Sequence, residues 1–358
     1  MPTFFHSSIN DFSIKLKPEH QEIQELARTF ATNEIAPIAN KIDQEDKIPD
    51  ELIKKMSELG FFGVPYPTEY GGAGYDYLSM ALVIEELARV SCAVSVIPVA
   101  HTLIAMPLTS FGTKDQKIQY LVPLAKGDKI GAHAMTEPGA GSDVAGITTT
   151  AVKDGDSWII NGTKTFCTNG DIADIFLIFA RTSAIQDKRH LGLSAFIIER
   201  NTDGFTIGNP ISKTGIRGSK SVELILEDVK IPDSDILGEE GKGFRYIIDG
   251  MNAERILIAS ECIGDSRWFI KKATDYANER IVFDRAIGKN QGIQFPIAQA
   301  HAATEAAALM TEKATLLYED DERPGAEANM AKLLAADASW KAAEACLQTH
   351  GGYGFAEE

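Results

Sequence analysis

The stretch Gly131–Gly146 reads Gly-Ala-His-Ala-Met-Thr-Glu-Pro-Gly-Ala-Gly-Ser-Asp-Val-Ala-Gly. Its glycines at 131, 139, 141 and 146, with Pro138, rule out a helix interior. What remains is a loop with closely spaced backbone N–H groups and with Thr136, Ser142 and Asp143 among them. That chemistry suits a polar, phosphorylated ligand. An ordinary surface turn has the same composition. A second glycine-rich stretch, Gly351-Gly352-Tyr353-Gly354, lies near the end of the chain.

These residues must be held by regular elements. Residues 18–128 read as helical. Pro18-Glu19-His20 opens a helix with proline and an acid in its first turn, and Ile23, Leu26, Ala27, Phe30, Ile35 and Ile38 recur at helical spacing. Pro49-Asp50-Glu51 opens a second helix that stops at Gly60. Tyr77 to Val90 reads as amphipathic, with Glu85 and Glu86 near its middle. Residues 93–111 are nearly uncharged, the pattern of a buried helix, and Thr113 to Lys126 reads as a short polar helix.

The texture changes near residue 130. Short β-branched, alternating runs appear at 148–153, 158–162, 175–180, 194–198, 205–207 and 223–229. Asp154-Gly155-Asp156 and Asn161-Gly162 are hairpin signals. The absence of helices between these runs argues against a doubly wound sheet. Helical periodicity returns at Gly238, predicting helices over 243–283, 291–319 and 326–348. The expected fold is α+β and mainly α. It has an N-terminal α-helical domain (1–129), a middle antiparallel β-domain closed as a small barrel (130–236) and a C-terminal α-helical domain (237–358).

Composition narrows the function. A net charge of −16 opposes direct binding to nucleic-acid phosphates. The four cysteines, at 92, 167, 262 and 346, have no metal-ligand spacing and suggest no disulfide framework, so reduced thiols and no metal are expected. Residues 1–15 contain no apolar signal-type core, and no run reads as a membrane span. A soluble, cytoplasmic protein is expected.

Four motifs in order resemble those of the flavin-dependent acyl-CoA dehydrogenases. Residues Ala134-Met135-Thr136-Glu137-Pro138-Gly139-Ala140-Gly141-Ser142-Asp143 resemble the family's first signature. Gln348-Thr349-His350-Gly351-Gly352-Tyr353-Gly354-Phe355 resembles the start of its second. Thr168-Asn169-Gly170 and Arg280-Ile281-Val282-Phe283 match in position between them. The resemblance covers essentially the whole chain. It implies an FAD enzyme that removes two hydrogens across Cα–Cβ of an acyl-CoA thioester to give a trans-2-enoyl-CoA. It further implies electrons passed to an electron-transfer flavoprotein, and a homo-oligomer, a tetramer or dimer of dimers. An acyl-CoA oxidase and a non-catalytic flavin-binding relative are the alternatives.

By the same resemblance, His133, Met135, Thr136, Phe166 and Thr168 contact the flavin, Thr168 near the reactive N5. Ser142 lies by the pyrophosphate and the CoA arm. Arg280, Phe283, Gln291, Gln348, Gly351 and Gly352 resemble the positions that hold the ADP half, supplied in the family by a neighbouring subunit; a guanidinium suits a diphosphate through its fixed fork of donors. The base that takes the α-proton usually lies beyond the second signature, on a segment that would follow Glu358. In a subset that includes isovaleryl-CoA and long-chain enzymes it lies near the start of the long helix after the β-domain, a place that Glu254 occupies here. Read alone, Glu254-Arg255 is a charged pair on a solvated helix face. With the resemblance, Glu254 is the expected base, its pKa raised by apolar neighbours, and Arg255 contacts CoA or fixes Glu254. Glu357 and Glu358 follow the glycine turn too closely to serve as well. The segment 95–111 is expected to line the acyl pocket.

Overall fold

A computed structural model describes residues 16–183, 189–320 and 322–356. In chain order, α1 (Pro18–Phe30) runs on through a π turn at Ala31–Ile35 and a 3-10 turn at Ala36–Ile38 into α2 (Ala39–Glu45). Next come α3 (Asp50–Glu58), α4 (Tyr77–Ala88) and α5 (Cys92–Phe111). The stretch predicted as one polar helix over 113–126 is instead α6 (Lys114–Gln116), a π turn at Lys117–Leu121 and α7 (Val122–Ala125). Thr113 caps it, accepting from the Gln116 amide at 3.2 Å.

The β region comprises β1 (Gly131–Ala134), β2 (Thr150–Asp154), β3 (Ser157–Thr168), β4 (Ile175–Arg181), β5 (Leu193–Glu199), β6 (Phe205–Pro210), β7 (Ser221–Pro232) and β8 (Ile236–Leu237). Then follow α8 (Gly243–Glu279), the ribbon β9 (Ile281–Val282) and β10 (Arg285–Ala286), α9 (Gln291–Glu319) and α10 (Gly325–His350).

The chain divides into two compact units, each discontinuous in sequence: residues 1–37, 77–95 and 255–358 in one, and 38–76 and 96–254 in the other.

In the second unit the strands form one sheet in the order β6-β7-β3-β2-β4-β5-β8, with β1 joined to β4. The predicted closed barrel is not formed. The reason lies at the edges: β8 has two residues, and β6 ends on Pro210, which has no N–H to offer a further strand. Pairing is mainly antiparallel, but β1 runs parallel to β4 from Gly131↔Ile175 to Ala134↔Ile178. Alternate residues of β4 and β5 feed two apolar cores. Ile175, Leu177 and Phe179 join one of them, and Phe176, Ile178 and Ala180 the other.

The Asp154-Gly155-Asp156 turn joins β2 to β3 as expected, with Gly155 at φ 59°. Asn161-Gly162 is not a turn. It lies inside β3 at a register shift, and a Cβ on Gly162 would come within 2.4 Å of the Thr149 hydroxyl. Glycine is needed there for close approach.

In the first unit α4 is buried on every side rather than amphipathic. Its Glu86 carboxylate is satisfied by Arg28 at 2.9 Å, Gln24 at 3.1 Å and Arg89 at 3.3 Å, which is how a charge remains inside a core. Helices α9 and α10 pack through small residues. Ala328, Ala331, Ala335, Ala338, Ala342 and Ala345 recur at alternate spacings of three and four and are buried. Helix α8 ends at Glu279, short of the expected residue 283. Beyond it Phe283 and Asp284 take positive φ (52° and 61°) and turn the chain back as the β9–β10 ribbon.

Helix α5 is the near-uncharged helix expected to be buried. It is long and apolar enough to cross a membrane by length and composition, and 67% of its most apolar window is buried inside the protein. The four cysteines are free thiols.

Candidate functional site

The first turns of α8 present one face. Tyr246, Ile247, Gly250, Met251 and Glu254 recur at spacings of one, three and four, so they line up along the helix. They wall a cavity of about 90 Å³ with Thr102, Leu103, Met106 and Pro107 of α5, His133 of β1, Met135 and Phe179 of β4. Glu254 is half-buried. Eight residues separate it from Tyr246, a rise of about 12 Å along α8. At that end the Tyr246 ring stacks on Phe111 (centroids 4.2 Å apart, planes at 30°) and its hydroxyl accepts from the Glu239 amide at 2.8 Å. Gly250 faces open space, which widens the cavity one turn before Glu254.

His133 meets Phe179 edge-on, with ring centroids 5.1 Å apart. Burial, with the nearby Lys164 ammonium, lowers its pKa to about 4, so the ring is neutral. The loop after β1 is anchored from below by Glu137. Its carboxylate accepts from the Thr148 amide (2.7 Å), the Thr148 hydroxyl (2.7 Å), the Thr149 amide (3.0 Å) and Lys164 (2.7 Å). Burial opposes ionisation of Glu137, but Lys164 and these hydrogen bonds prevail and hold the carboxyl below the usual range. Asp143 pairs with Arg189 at 2.8 Å. Glu137 and Asp143 therefore shape the loop.

Thr136 is half-buried, and its carbonyl accepts from the Thr165 amide of β3 at 2.9 Å. Further along β3 a register shift between Lys164 and Cys167 leaves Phe166 at φ 55° with its side chain 60% exposed. An aromatic residue held at a left-handed backbone is strained, and strain of this kind clusters at ligand sites. Thr168 is half-buried, its hydroxyl 3.4 Å from that of Ser221. Ser142 is exposed on the loop and, with Thr136, Phe166 and Thr168, is not among the residues lining the cavity of Glu254. Arg255 is half-buried and does not line it either.

In the first unit, Arg280, Gly351 and Gly352 meet in an open recess of about 490 Å³ with Tyr276 and His350, whose rings stack at 4.2 Å. Phe283, Gln291 and Gln348 are exposed and do not line that recess, Phe283 being 94% exposed. Glu357 and Glu358 lie outside the described residues.

The stretch 95–111 was expected at the acyl pocket, and four of its residues line the cavity. Sequence reasoning missed Tyr246, Phe179 and Lys164. Phe179 gives no signal in a strand apolar up to its last residue, Arg181. Lys164 gives one: a lone cation among the threonines and apolar residues of β3.

Comparison with known proteins assigns this architecture. Residues 17–128 match the acyl-CoA dehydrogenase N-terminal domain, 132–229 the middle domain and 241–358 the C-terminal domain. An acyl-CoA dehydrogenase of Bacillus subtilis (strain 168) is 42% identical over 341 residues, 95% of this chain and 89% of that protein. Butyryl-CoA dehydrogenase from Megasphaera elsdenii superposes with a TM-score of 0.94 at 36% identity, covering 96% of this chain and 91% of that one. A chain in the structure of the electron transferring flavoprotein of Acidaminococcus fermentans, solved towards a mechanism of flavin-based electron bifurcation, also superposes with a TM-score of 0.94. It is 37% identical and covers 96% and 90% of the two chains. With three consecutive domain matches and identity at this level over nearly its whole length, the chain belongs to the acyl-CoA dehydrogenase family.

Proposed function

We propose that this protein is an FAD-dependent dehydrogenase of short acyl-CoA thioesters, with Glu254 as the base. The observation that carries the reading is the cavity itself. One carboxylate, half-buried, faces a small apolar space between α5, β4 and the first turns of α8. Family membership implies a flavin. The residues fit one: Phe166 offers an exposed ring held in place by its backbone, Thr168 offers a hydroxyl two residues on, and Thr136 offers another on the loop tied to the same strand through Thr165. When bound, the flavin supplies the acceptor for the β-hydrogen, which leaves as hydride.

The chain's own residues do the rest. Glu254 takes the α-proton on a carboxylate oxygen. Met106, Met251 and Phe179 line the space that carboxylate faces and give the acyl chain an apolar wall. Thr136 and Thr168 present donors that stabilise negative charge on the cofactor. Arg280, with Gly351 and Gly352, suits a diphosphate in an open recess. That recess is exposed, as is Phe283, which supports completion of the cofactor site by a second copy of the chain. The size of the cavity and the likeness to butyryl-CoA dehydrogenase favour a short acyl group. The likeness to a chain in the electron transferring flavoprotein structure favours such a flavoprotein as acceptor.

Glu254→Gln tests the base. FAD content is expected to match wild type, while bleaching of the flavin by butyryl-CoA under anaerobic conditions falls by at least about 10³-fold. Turnover retained in this variant removes Glu254 as the base.

A further inference from the structure

The buried ion pair beneath the loop does more than fill space. The Lys164 side chain is fully buried and Glu137 nearly so. From β3, the Lys164 ammonium donates to the Glu137 carboxylate at 2.7 Å and to the Met135 carbonyl at 3.3 Å. The neighbouring Thr165 amide donates to the Thr136 carbonyl at 2.9 Å. The backbone on both sides of Thr136 is thus tied to the strand that carries Phe166 and Thr168.

Two well-packed apolar residues would hold a loop to a strand without the desolvation cost of two charges. The pair also has a direction. Its positive end lies by Met135, which lines the Glu254 cavity, and its negative end is turned to the amides of Thr148 and Thr149. The charge of Lys164 reaches that cavity: it helps keep the ring of His133, another lining residue, neutral.

We infer that Lys164 is a positioning residue for the flavin-contact loop, and that the ion pair, oriented with its ammonium toward the cavity, favours the reduced flavin over the oxidised one. The inference rests on the reading of Thr136, Phe166 and Thr168 as flavin contacts. A cation near a group that gains electrons stabilises the electron-rich state, and a buried one is screened little by salt.

The test is a charge cycle on the full chain reconstituted with FAD: wild type, Lys164→Met, Glu137→Gln and the double variant. Reduction potential is measured at pH 7 by spectroelectrochemistry, and FAD affinity by titration of apoprotein. Lys164→Met is expected to weaken FAD binding and lower the potential. Glu137→Gln takes away the carboxylate that keeps the buried Lys164 amine charged, so the amine is expected to release its proton and this variant too is expected to have a lowered potential at pH 7. Each shift corresponds to about a tenfold change in the relative affinity for reduced and oxidised flavin, ~30 mV for a two-electron couple. The double variant, which has lost the same charge, is expected to match Lys164→Met rather than to add the two shifts.

A merely structural clamp predicts weaker FAD binding with an unmoved potential, or a double variant whose shift is the sum of the two single ones, and either result overturns the inference. If Lys164→Met does not fold, Glu137→Gln and the double variant decide it. A wild-type chain that takes up no FAD overturns the flavin reading itself. One that binds FAD while potentials stay unmoved overturns this inference alone.

Discussion

The Tyr246 hydroxyl accepts a hydrogen bond from the backbone amide of Glu239 at 2.8 Å, which pins its ring at one end of the cavity that Glu254 lines. Gly238, next in the chain to Glu239, keeps φ 67°, and a Cβ there would come within 2.3 Å of the same hydroxyl. The ring is held on one side by this turn and on the other by Phe111.

A fixed ring at that end limits the length of the acyl group. Tyr246→Ala is expected to move the preference among straight-chain acyl-CoA substrates toward longer chains, by about tenfold or more in the ratio of kcat/KM between hexanoyl-CoA and butyryl-CoA. The substitution empties a buried aromatic site and is expected to cost about 3 kcal/mol of stability or more. A steady-state substrate panel checks the first outcome and urea denaturation the second. An unchanged preference would mean the chain runs elsewhere in the cavity.

Glu261 sits buried on α8, two turns beyond Glu254, and accepts from the Ser95 hydroxyl at 3.0 Å. Burial raises its pKa from 4.5 to about 7, with Asp265 adding to the shift against the Ser95 hydrogen bond. Between those two values the folded state holds a proton that the unfolded state has released. Stability contributed at this site therefore falls as pH rises from about 4.5 to about 7. The loss is about 3 kcal/mol. Glu261→Gln removes the titration and keeps an acceptor for Ser95. Its urea midpoint is expected to match wild type at pH 4.5 and to exceed it at pH 8. Equal midpoints at both pH values would show that Glu261 ionises in the folded protein as readily as in the unfolded one.

Arg280 is exposed at the open recess of the first unit, so Arg280→Met is expected to leave the fold intact. Loss of a charge-assisted contact to a diphosphate is worth about 1.5–3 kcal/mol, a drop of about 10- to 100-fold in FAD affinity, read by apoprotein titration. If a second copy completes the site, flavin release on dilution should also follow dissociation of the oligomer in light scattering. Flavin that stays bound to the monomer would show that each chain holds its cofactor alone.

Much of the helical frame was legible along the chain. Pro18 opens α1 where proline and an acid were read as a start. The windows 291–319 and 326–348 hold α9 and α10, because periodic small and apolar residues report burial locally. The glycine stretch was legible as a loop from residue 135 onward for the same reason, since glycine and proline act on their own backbone, but its first four residues, Gly131–Ala134, form β1 against β4 instead. Where a neighbour decides the outcome, local reading failed. Asn161-Gly162 has the composition of a hairpin turn, yet it lies inside β3 at a register shift, where Thr149 packs against Gly162. Glu86 looked like part of a polar face until Arg28, Gln24 and Arg89 neutralised it. The barrel stayed open because closure depends on two edges meeting, which no single strand encodes.

The sequence by itself determined the order of helices and strands, the loop chemistry, and, through motif resemblance, the family and a candidate base at Glu254. Only the tertiary structure decided what surrounds that carboxylate. Tyr246 and Met251 of α8, Met106 of α5 and Phe179 of β4 line the cavity it faces, residues up to about 150 positions apart in a chain whose local patterns carry no record of one another. The same holds for Lys164: a lone lysine in a strand is unremarkable until folding buries it against Glu137 and turns its charge toward the cavity.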